Sequence, residues 1–415
     1  MKNVLIISYY WPPSGGAGVQ RWLKFSKYLP QFGWHPIVLT VDEKSANYPQ
    51  KDFSLVKESS SIETHRTRSF EFYSLYAGMK KDKQVPYGGF SNEGEPGLFQ
   101  KIARFIRGNF FIPDPRKAWN RFAIKKAIEL IESNDIQVIV TTSPPHSTQL
   151  VGLQLKKRFP SIRWIADWRD PWTDIYFYDK LYPTRRARAK DRKYEEQVIQ
   201  NADFVVVVSD SIKHILQKRY GVDDKLQIIP NGYDEDDFLT PVSINEKYSN
   251  EIVYTGTLTN EYPLKEIVDL AHNTSFRFRF IGNVTPEFKE LIRQNGLSAR
   301  FTFCESVAHR EIIKVMKQAG ILLLLIPKTK NNEGILTGKL FEYIGARRPI
   351  LAIGPPRSDA KNIIESVGGG LFFSYEQTKS VKDEDLRACV ISEAKLQPTY
   401  FSRKNLCRQI QKLFV

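Results

Sequence analysis

The chain opens with an apolar run, Val4 to Ile7, that breaks at Ser8 into a loop rich in proline and glycine and then turns amphipathic. Trp22, Phe25, Leu29 and Phe32 recur at helical spacing after the glycines, so strand, loop and helix follow in that order. The next run, Pro36 to Val41, is continuous and rich in β-branched residues, as a strand buried on both faces requires, and it completes a βαβ unit. The alternation continues with strands predicted over 136–141, 163–166 and 204–208 and helices from Trp119 to Glu132 and from Gln149 to Arg158. Residues 68–118 interrupt this rhythm with Gly88-Gly89 and Gly94-Glu95-Pro96-Gly97, followed by the aromatic, basic stretch Phe99 to Phe111, and read as an insertion. Within it Phe99, Ile102, Phe105 and Ile106 share one helical face while Lys101, Arg104 and Arg107 lie largely on the other, the pattern of an interfacial helix or of one packed on its domain.

A polar, acidic passage from Tyr233 to Asn250 reads as a linker, after which the pattern restarts. Strands are predicted over 252–254, 276–281, 301–303, 321–326 and 350–353, with helices beginning near Leu264, Pro286, His309 and Thr337. Alternation of this kind predicts an α/β protein with a parallel sheet in each half, that is, two Rossmann-like domains facing across a cleft. The boundaries expected are 1–232, 233–397, and 398–415 as a C-terminal helix returning to the N-terminal domain.

Composition narrows the class. At 415 residues the chain exceeds a single core, and 41% hydrophobic with 26% charged residues describes a globular protein. No run approaches the roughly 18 to 20 apolar residues of a membrane span, and the chain starts on a strand instead of a secretory signal, so a cytoplasmic protein is expected. Cys304, Cys389 and Cys407 show neither metal nor redox spacing. The net charge of +15 asks for an acidic partner such as nucleic acid, an anionic membrane or a phosphorylated substrate. Its densest run is Arg185, Arg186, Arg188, Lys190, Arg192 and Lys193, interrupted only by Asp191, which reads as a solvated helix or as a surface that meets anionic lipid. The aromatics form no stacking motif among the basic residues, so nucleic acid is not the expected partner.

The candidate chemistry gathers at strand ends. Gly16 and Gly18 lead into a helix N-terminus, where unpaired N–H groups favour an anion. A dinucleotide fingerprint would need a third glycine where Arg21 stands, and Asp42 is the sole feature that keeps an NAD site in view. In the second half Gly256 and Gly282 end predicted strands and mark the rim of a second site. Thr337 and Gly338 would open a helix whose N–H groups receive a diphosphate, Lys339 adds a cation, and Glu342, about one turn deeper, can accept the hydroxyls of a ribose. The alternative makes Glu333 and Lys339 solvated charges and pairs Glu342 with Arg347 or Arg348.

Several motifs in one order carry a resemblance: Pro12 to Arg21, Ser143-Pro144-Pro145-His146-Ser147, Ala166 to Trp172, Pro230 to Asp234, Tyr254 to Leu258, and Gly338 to Pro349. The chain resembles a GT-B-fold glycosyltransferase of the large retaining family four, in a bacterial surface-polysaccharide branch. The resemblance implies that Glu342 is the second glutamate of the E-x7-E motif and binds the nucleotide ribose. The first place falls on Gly334, with Glu333 one residue too early, so either a one-residue insertion keeps Glu333 on the donor sugar or that contact is lost. The family's usual arginine and lysine are not recognisable after Gly256; Lys339 and the N–H groups around it would compensate, with Lys265 a poorer candidate. Donor binding is thereby expected at Gly16, Gly18, Gly256, Thr257, Glu333, Thr337, Gly338, Lys339 and Glu342.

His146 resembles the family histidine that reaches the donor sugar, with a structural role as its alternative. Arg169 and Asp170 join it as catalytic candidates, and Arg21 and Asp167 stand on the acceptor side; for Asp167, Arg169 and Asp170 the other reading is an Arg–Asp pair that braces the cleft wall. The implied activity is a metal-independent, retaining, hexosyltransferase-type transfer by front-face displacement, without cofactor. It would run from a nucleotide diphosphate donor, UDP-sugar first, to a glycan or lipid-linked glycan. The place implied is the cytoplasm, including the inner face of the membrane, where an anionic surface is a further partner. A GT-B-fold nucleotide-sugar epimerase and a non-enzymatic basic protein that binds nucleic acid or membrane are the rival readings.

Overall fold

Seven strands of the first half pair side by side, all parallel: β1 (Lys2–Ile7), β2 (Trp34–Val41), β3 (Glu63–Thr67), β4 (Val138–Ser143), β5 (Arg163–Trp168), β6 (Phe204–Val207) and β7 (Leu226–Ile228). Their order across the sheet is β3-β2-β1-β4-β5-β6-β7. Six parallel strands of the second half, β8 (Glu251–Thr255), β9 (Arg277–Ile281), β10 (Phe301–Cys304), β11 (Ile321–Leu325), β12 (Ile350–Gly354) and β13 (Gly370–Ser374), form a second sheet in the order β10-β9-β8-β11-β12-β13. The computed structural model describes residues 1–46, 48, 50–70, 97–242, 248–391 and 398–415; Gly88-Gly89 and Gly94-Glu95-Pro96 of the expected insertion lie outside the described residues. The chain divides into two units, Met1–Pro230 with Leu406–Val415, and Asn231–Asn405.

The helices of the first unit are α1 (Ala17–Tyr28), α2 (Ser54–Ser59), α3 (Leu98–Phe110), α4 (Asn120–Ser133), α5 (Ser147–Arg158), α6 (Arg185–Asn201) and α7 (Asp210–Tyr220). In the second unit come α8 (Leu264–Asn273), α9 (Pro286–Gln294), α10 (His309–Gln318), α11 (Gly338–Ala346), α12 (Asp359–Val367) and α13 (Asp383–Ile391), and α14 (Arg403–Ile410) follows. The strands and helices expected from the hydrophobic pattern stand within about two residues of their predicted starts, because a parallel strand covered on both faces leaves an unbroken apolar signature.

Side-chain alternation in β1 divides the first core. Val4 and Ile6 face Trp22, Phe25 and Trp34, while Leu5 and Ile7 face a cluster with Trp119, Trp164 and Trp168. The last residues of the chain complete the first of these clusters: Leu406, Cys407, Ile410 and Phe414 pack there, with Phe414 edge-on to Trp34 at 5.1 Å between ring centroids. Cys407 is a small apolar filler in that core, its thiol pushed up by burial.

One ion pair lies inside this apolar packing. Arg21 on α1 and Asp167 on β5 are both 0% exposed. Arg21 donates from Nη2 to Asp167 Oδ1 at 2.8 Å and from Nη1 to the Pro230 carbonyl at 2.5 Å. Asp167 also accepts from Trp22 Nε1 at 2.8 Å and from Thr142 Oγ1 at 2.9 Å. The pair expected on the acceptor side is thus a brace, since neither member reaches solvent, each nitrogen of Arg21 donates to Asp167 or Pro230, and both oxygens of Asp167 accept. Removing one partner strands the other charge in the core, so Asp167→Ala is expected to destabilise the folded protein by about 3–5 kcal/mol. Urea unfolding measures it; a loss below about 1 kcal/mol, the range of an exposed pair, would contradict the buried brace.

Candidate active site

In each sheet the strand order reverses at one place, and there the loops leaving neighbouring strands diverge and open a crevice. In the first unit that place lies between β1 and β4. The loop after β1 ends at Gly16, Gly18 stands in the first turn of α1, and the turn after β4 is Pro144-Pro145-His146. Gly16, with φ of 95°, sits in a backbone region that disfavours side chains and directs the chain into α1. Gly18 is covered: a Cβ there would lie 2.1 Å from Nη1 of Arg169, so only glycine leaves room for that guanidinium. Arg169 also donates from Nε to the Ser143 carbonyl at 3.1 Å and from Nη2 to the Pro144 carbonyl at 3.0 Å, which fastens the His146 turn to the glycine loop.

The turn is held from its other side by Asp114. Its carboxylate accepts from the Ser147 amide at 2.7 Å and the Ser147 hydroxyl at 2.8 Å, a favourable place for negative charge at the start of α5. Gln149 donates to Ser143 Oγ and to the Asp167 carbonyl, both at 3.1 Å, so the brace and the turn share a network. His146 stacks on Trp172 with centroids 5.0 Å apart and planes 13° from parallel. Both its ring nitrogens are buried without a hydrogen-bond partner among the described residues. Burial and, secondarily, the Arg169 charge push its pKa down to about 3, so the ring is neutral near pH 7 and offers one donor and one acceptor. Asp170 has its carboxyl pushed up by burial, against the pull of Arg169.

A cavity of about 170 Å³ adjoins His146, lined among others by Tyr10, Asp114, Trp172, Tyr178 and Asp191. Asp191 accepts from Trp172 Nε1 at 2.8 Å and from the Tyr178 hydroxyl at 2.9 Å, yet burial outweighs these bonds and pushes its pKa up to about 6. Its only sequence signal is its position as the single acid in the basic run, in step with the buried residues Ala187, Glu195 and Val198 of α6.

In the second unit the order reverses between β8 and β11. Gly256 follows β8 with φ of 105°, and a Cβ there would stand 2.7 Å from Cε of Lys339, which comes from the first turn of α11. Gly282, with φ of 128°, lies against the Gly256 carbonyl, so close backbone approach requires the glycine at 282, while the positive φ at 256 favours glycine there. Lys339 donates to the Tyr254 hydroxyl at 2.9 Å, and its Nζ lies 4.7 Å and 5.7 Å from the ring centroids of Tyr254 and Tyr262. This aromatic cradle escapes sequence reading, because Tyr254 reads there simply as a strand residue. Thr337 caps α11 without a side-chain cap bond, and its buried hydroxyl has no partner among the described residues. Helix N–H groups, a hydroxyl and an ammonium therefore converge with Gly256, an arrangement that receives an anion.

Glu342 lies about one turn further along α11. Burial pushes its carboxyl up, opposed first by the charge of His309 and then by that of Arg403. Arg348, a partner foreseen for it, instead donates to the Ala319 carbonyl. Thr257 is exposed, and its carbonyl accepts from the Tyr254 hydroxyl at 2.8 Å. Glu333 is exposed in the turn Asn332–Gly334, with no hydrogen bond or ion pair to Lys339.

Against known proteins, the family model described as Glycosyltransferase Family 4 matches residues 87–237. The two parallel sheets make the GT-B fold, with two Rossmann-like domains. HepE from Anabaena in complex with UDP has this fold at 14% identity and a TM-score of 0.63, with 99% of each chain covered. Sucrose-phosphate synthase from Thermosynechococcus elongatus is 13% identical, with 100% of this chain and 95% of that one covered at a TM-score of 0.55. The lipopolysaccharide outer core galactosyltransferase WaaB is 12% identical, with 99% of each chain covered at a TM-score of 0.60. These solved structures show the fold of the chain, and the family model covers residues 87–237 of it. No curated protein matches the chain by sequence.

The cavity around His146 has a measurable pH signature. Asp191 titrates from 3.8 in the unfolded chain to about 6 in the fold, so over that window the folded protein holds more protons and loses stability as pH rises. The amplitude is on the order of 3 kcal/mol. Asp191→Asn is expected to flatten this fall; wild-type and variant stabilities that run parallel from pH 4 to 7 in urea titrations would refute the burial of an ionisable Asp191.

Proposed function

We propose that this protein is a metal-independent, retaining, hexosyltransferase-type enzyme that moves a sugar from a UDP-sugar to a glycan or lipid-linked glycan in surface polysaccharide assembly. The observation that carries this reading is the anion site at the start of α11, where Gly338, Lys339 and the Thr337 hydroxyl, which has no partner among the described residues, meet Gly256. The diphosphate would lie there, and the ribose hydroxyls would donate to Glu342, whose buried carboxylate gains from two donors what it lacks in water. HepE is solved with UDP and with UDP-glucose, and WaaB is an outer core galactosyltransferase, which supports a UDP-sugar donor and a surface glycan acceptor.

Front-face displacement asks little covalent chemistry of the protein. The bond from the anomeric carbon to the diphosphate oxygen breaks while the acceptor hydroxyl approaches on the same face and passes its proton to the departing diphosphate oxygen, and the negative charge of the leaving diphosphate is stabilised by Lys339 and the helix N–H groups. His146, neutral and with both ring nitrogens unsatisfied, would hydrogen-bond the sugar instead of delivering a proton as imidazolium. Arg169, with the Asp170 charge beside it, would hold that turn in place, and the adjoining cavity would receive the acceptor. Among the described residues no helix is long and apolar enough to cross a membrane, and a cytoplasmic location is part of this proposal.

Two variants separate the roles. Glu342→Gln is expected to weaken UDP binding by about 1–3 kcal/mol in calorimetry, the scale of a hydrogen bond to a charged group; a folded variant with wild-type affinity sinks the ribose assignment. His146→Ala is expected to lower turnover by about 10²-fold or more while leaving UDP affinity within about twofold. Parallel loss of both, or of neither, returns His146 to a structural part.

A further inference from the structure

Helix α3 is turned the wrong way for a globular domain. Its apolar residues Leu98, Phe99, Ile102, Phe105, Ile106 and Phe110 are 42% to 77% exposed, whereas Arg104 is buried at 7%. The orientation is fixed by packing on the polar side. A Cβ at Gly108 would lie 2.3 Å from the Leu181 carbonyl oxygen, so the helix backbone rests directly on the turn Tyr178–Leu181. Asn109 donates to the Tyr182 carbonyl at 3.0 Å and accepts from the Thr184 amide at 2.8 Å, which ties the end of α3 to the cap of α6. A contiguous apolar face held in water by specific contacts marks an interaction surface.

The charge beside that face says what it meets. Thr184 caps the basic start of α6, where Arg185, Arg186, Lys190, Arg192 and Lys193 are exposed while the one acid in the run, Asp191, is buried. Solvent at this edge therefore sees an excess of cations, offset by the exposed Asp179 that pairs with Arg188 at 2.8 Å, and the positive end of a helix dipole next to exposed aromatic and aliphatic side chains, with Tyr182 41% exposed between them. A second copy of this chain would oppose like charges across a two-fold contact. An anionic bilayer satisfies both parts at once: acyl boundary for Ile102, Phe105 and Phe110, headgroup phosphates for the arginines.

We propose that the outward face of α3 together with the basic start of α6 is a docking surface for an anionic lipid bilayer. Arg107, Gly108 and Phe111, at the inner end of α3, line the cavity beside His146, so docking sets that cavity close to the lipid surface. The docking surface stands without the sugar-transfer reading, because it is measured with neither donor nor acceptor present.

The test is flotation of the full chain with vesicles of phosphatidylcholine alone or mixed with phosphatidylglycerol. The protein is expected to float with the anionic vesicles at low salt and to be released as salt screens the surface charge. Ile102→Ser with Phe105→Ser, and separately Arg185→Glu with Arg186→Glu, are expected to weaken vesicle binding roughly tenfold or more. All four side chains are solvent-facing, and an unchanged melting midpoint confirms that each variant folds. Failure of the wild-type protein to float with anionic vesicles at low salt overturns the proposal, as does flotation unaffected by either pair of substitutions. Self-association that the serine pair abolishes, without vesicle binding, would give the face to a second copy and overturn it equally.

Discussion

The buried pair of Arg21 and Asp167 is the constraint on which the first unit depends. A guanidinium and a carboxylate without solvent are stable only when geometry saturates both, and here Trp22, Thr142 and the Pro230 carbonyl complete the set. Those partners come from α1, β4, β5 and the end of the unit, so the pair fixes their relation more narrowly than apolar packing alone, which tolerates sliding. Two residues after Asp167, Arg169 is thereby aimed across the sheet edge at Gly18 and the His146 turn. The position of His146 thus follows from a charge pair that touches no ligand.

Both units use one device. A glycine follows the first strand of the sheet, and a cation from elsewhere in the unit occupies the space a side chain would have taken: Arg169 over Gly18, Lys339 against Gly256. Each lies where strand order reverses, the natural crevice of an open parallel sheet. The outcomes differ because Arg169 is already tied to the carbonyls of Ser143 and Pro144 and acts as a strut, while the ammonium of Lys339 meets one hydroxyl and two ring faces beside uncapped helix N–H groups. Only the second arrangement leaves positive charge for an anion.

The legible parts of the sequence were the central strands and the amphipathic helices, whose periodicity burial imposes. Among the described strands, three left no clear signature: β3, β7 and β13 are all edge strands, and the polar Glu63–Thr67 and the three-residue Leu226–Ile228 show why, since an edge strand has no second neighbour to demand a continuous apolar run. In the site, Lys339 and Glu342 stood out through their place at a predicted helix start. Asp114, Trp172, Tyr178 and Asp191 did not, because the cavity assembles residues distant in sequence and each has an ordinary local reading. For α3 the pattern showed amphipathicity but not its direction: which face turns inward was settled by Gly108 and Asn109, residues that a hydrophobic count ignores.

Burial also explains why the cavity of the first unit differs in character from the anion site of the second. Desolvation lowers the basicity of His146 and raises the pKa of Asp191 toward neutrality, so both are driven toward their uncharged forms. Trp172 contributes a ring face and an N–H, and Tyr178 a hydroxyl, so the surroundings of His146 offer stacking and neutral hydrogen bonds. Such a surface matches hydroxyl groups, each able to donate and accept, while Arg107, Asp114 and Arg116 on the same cavity wall add charged groups beside it. Exposed positive charge gathers instead on α6, at Arg185, Arg186, Lys190, Arg192 and Lys193, where screening by water makes it inexpensive and where it acts over distance.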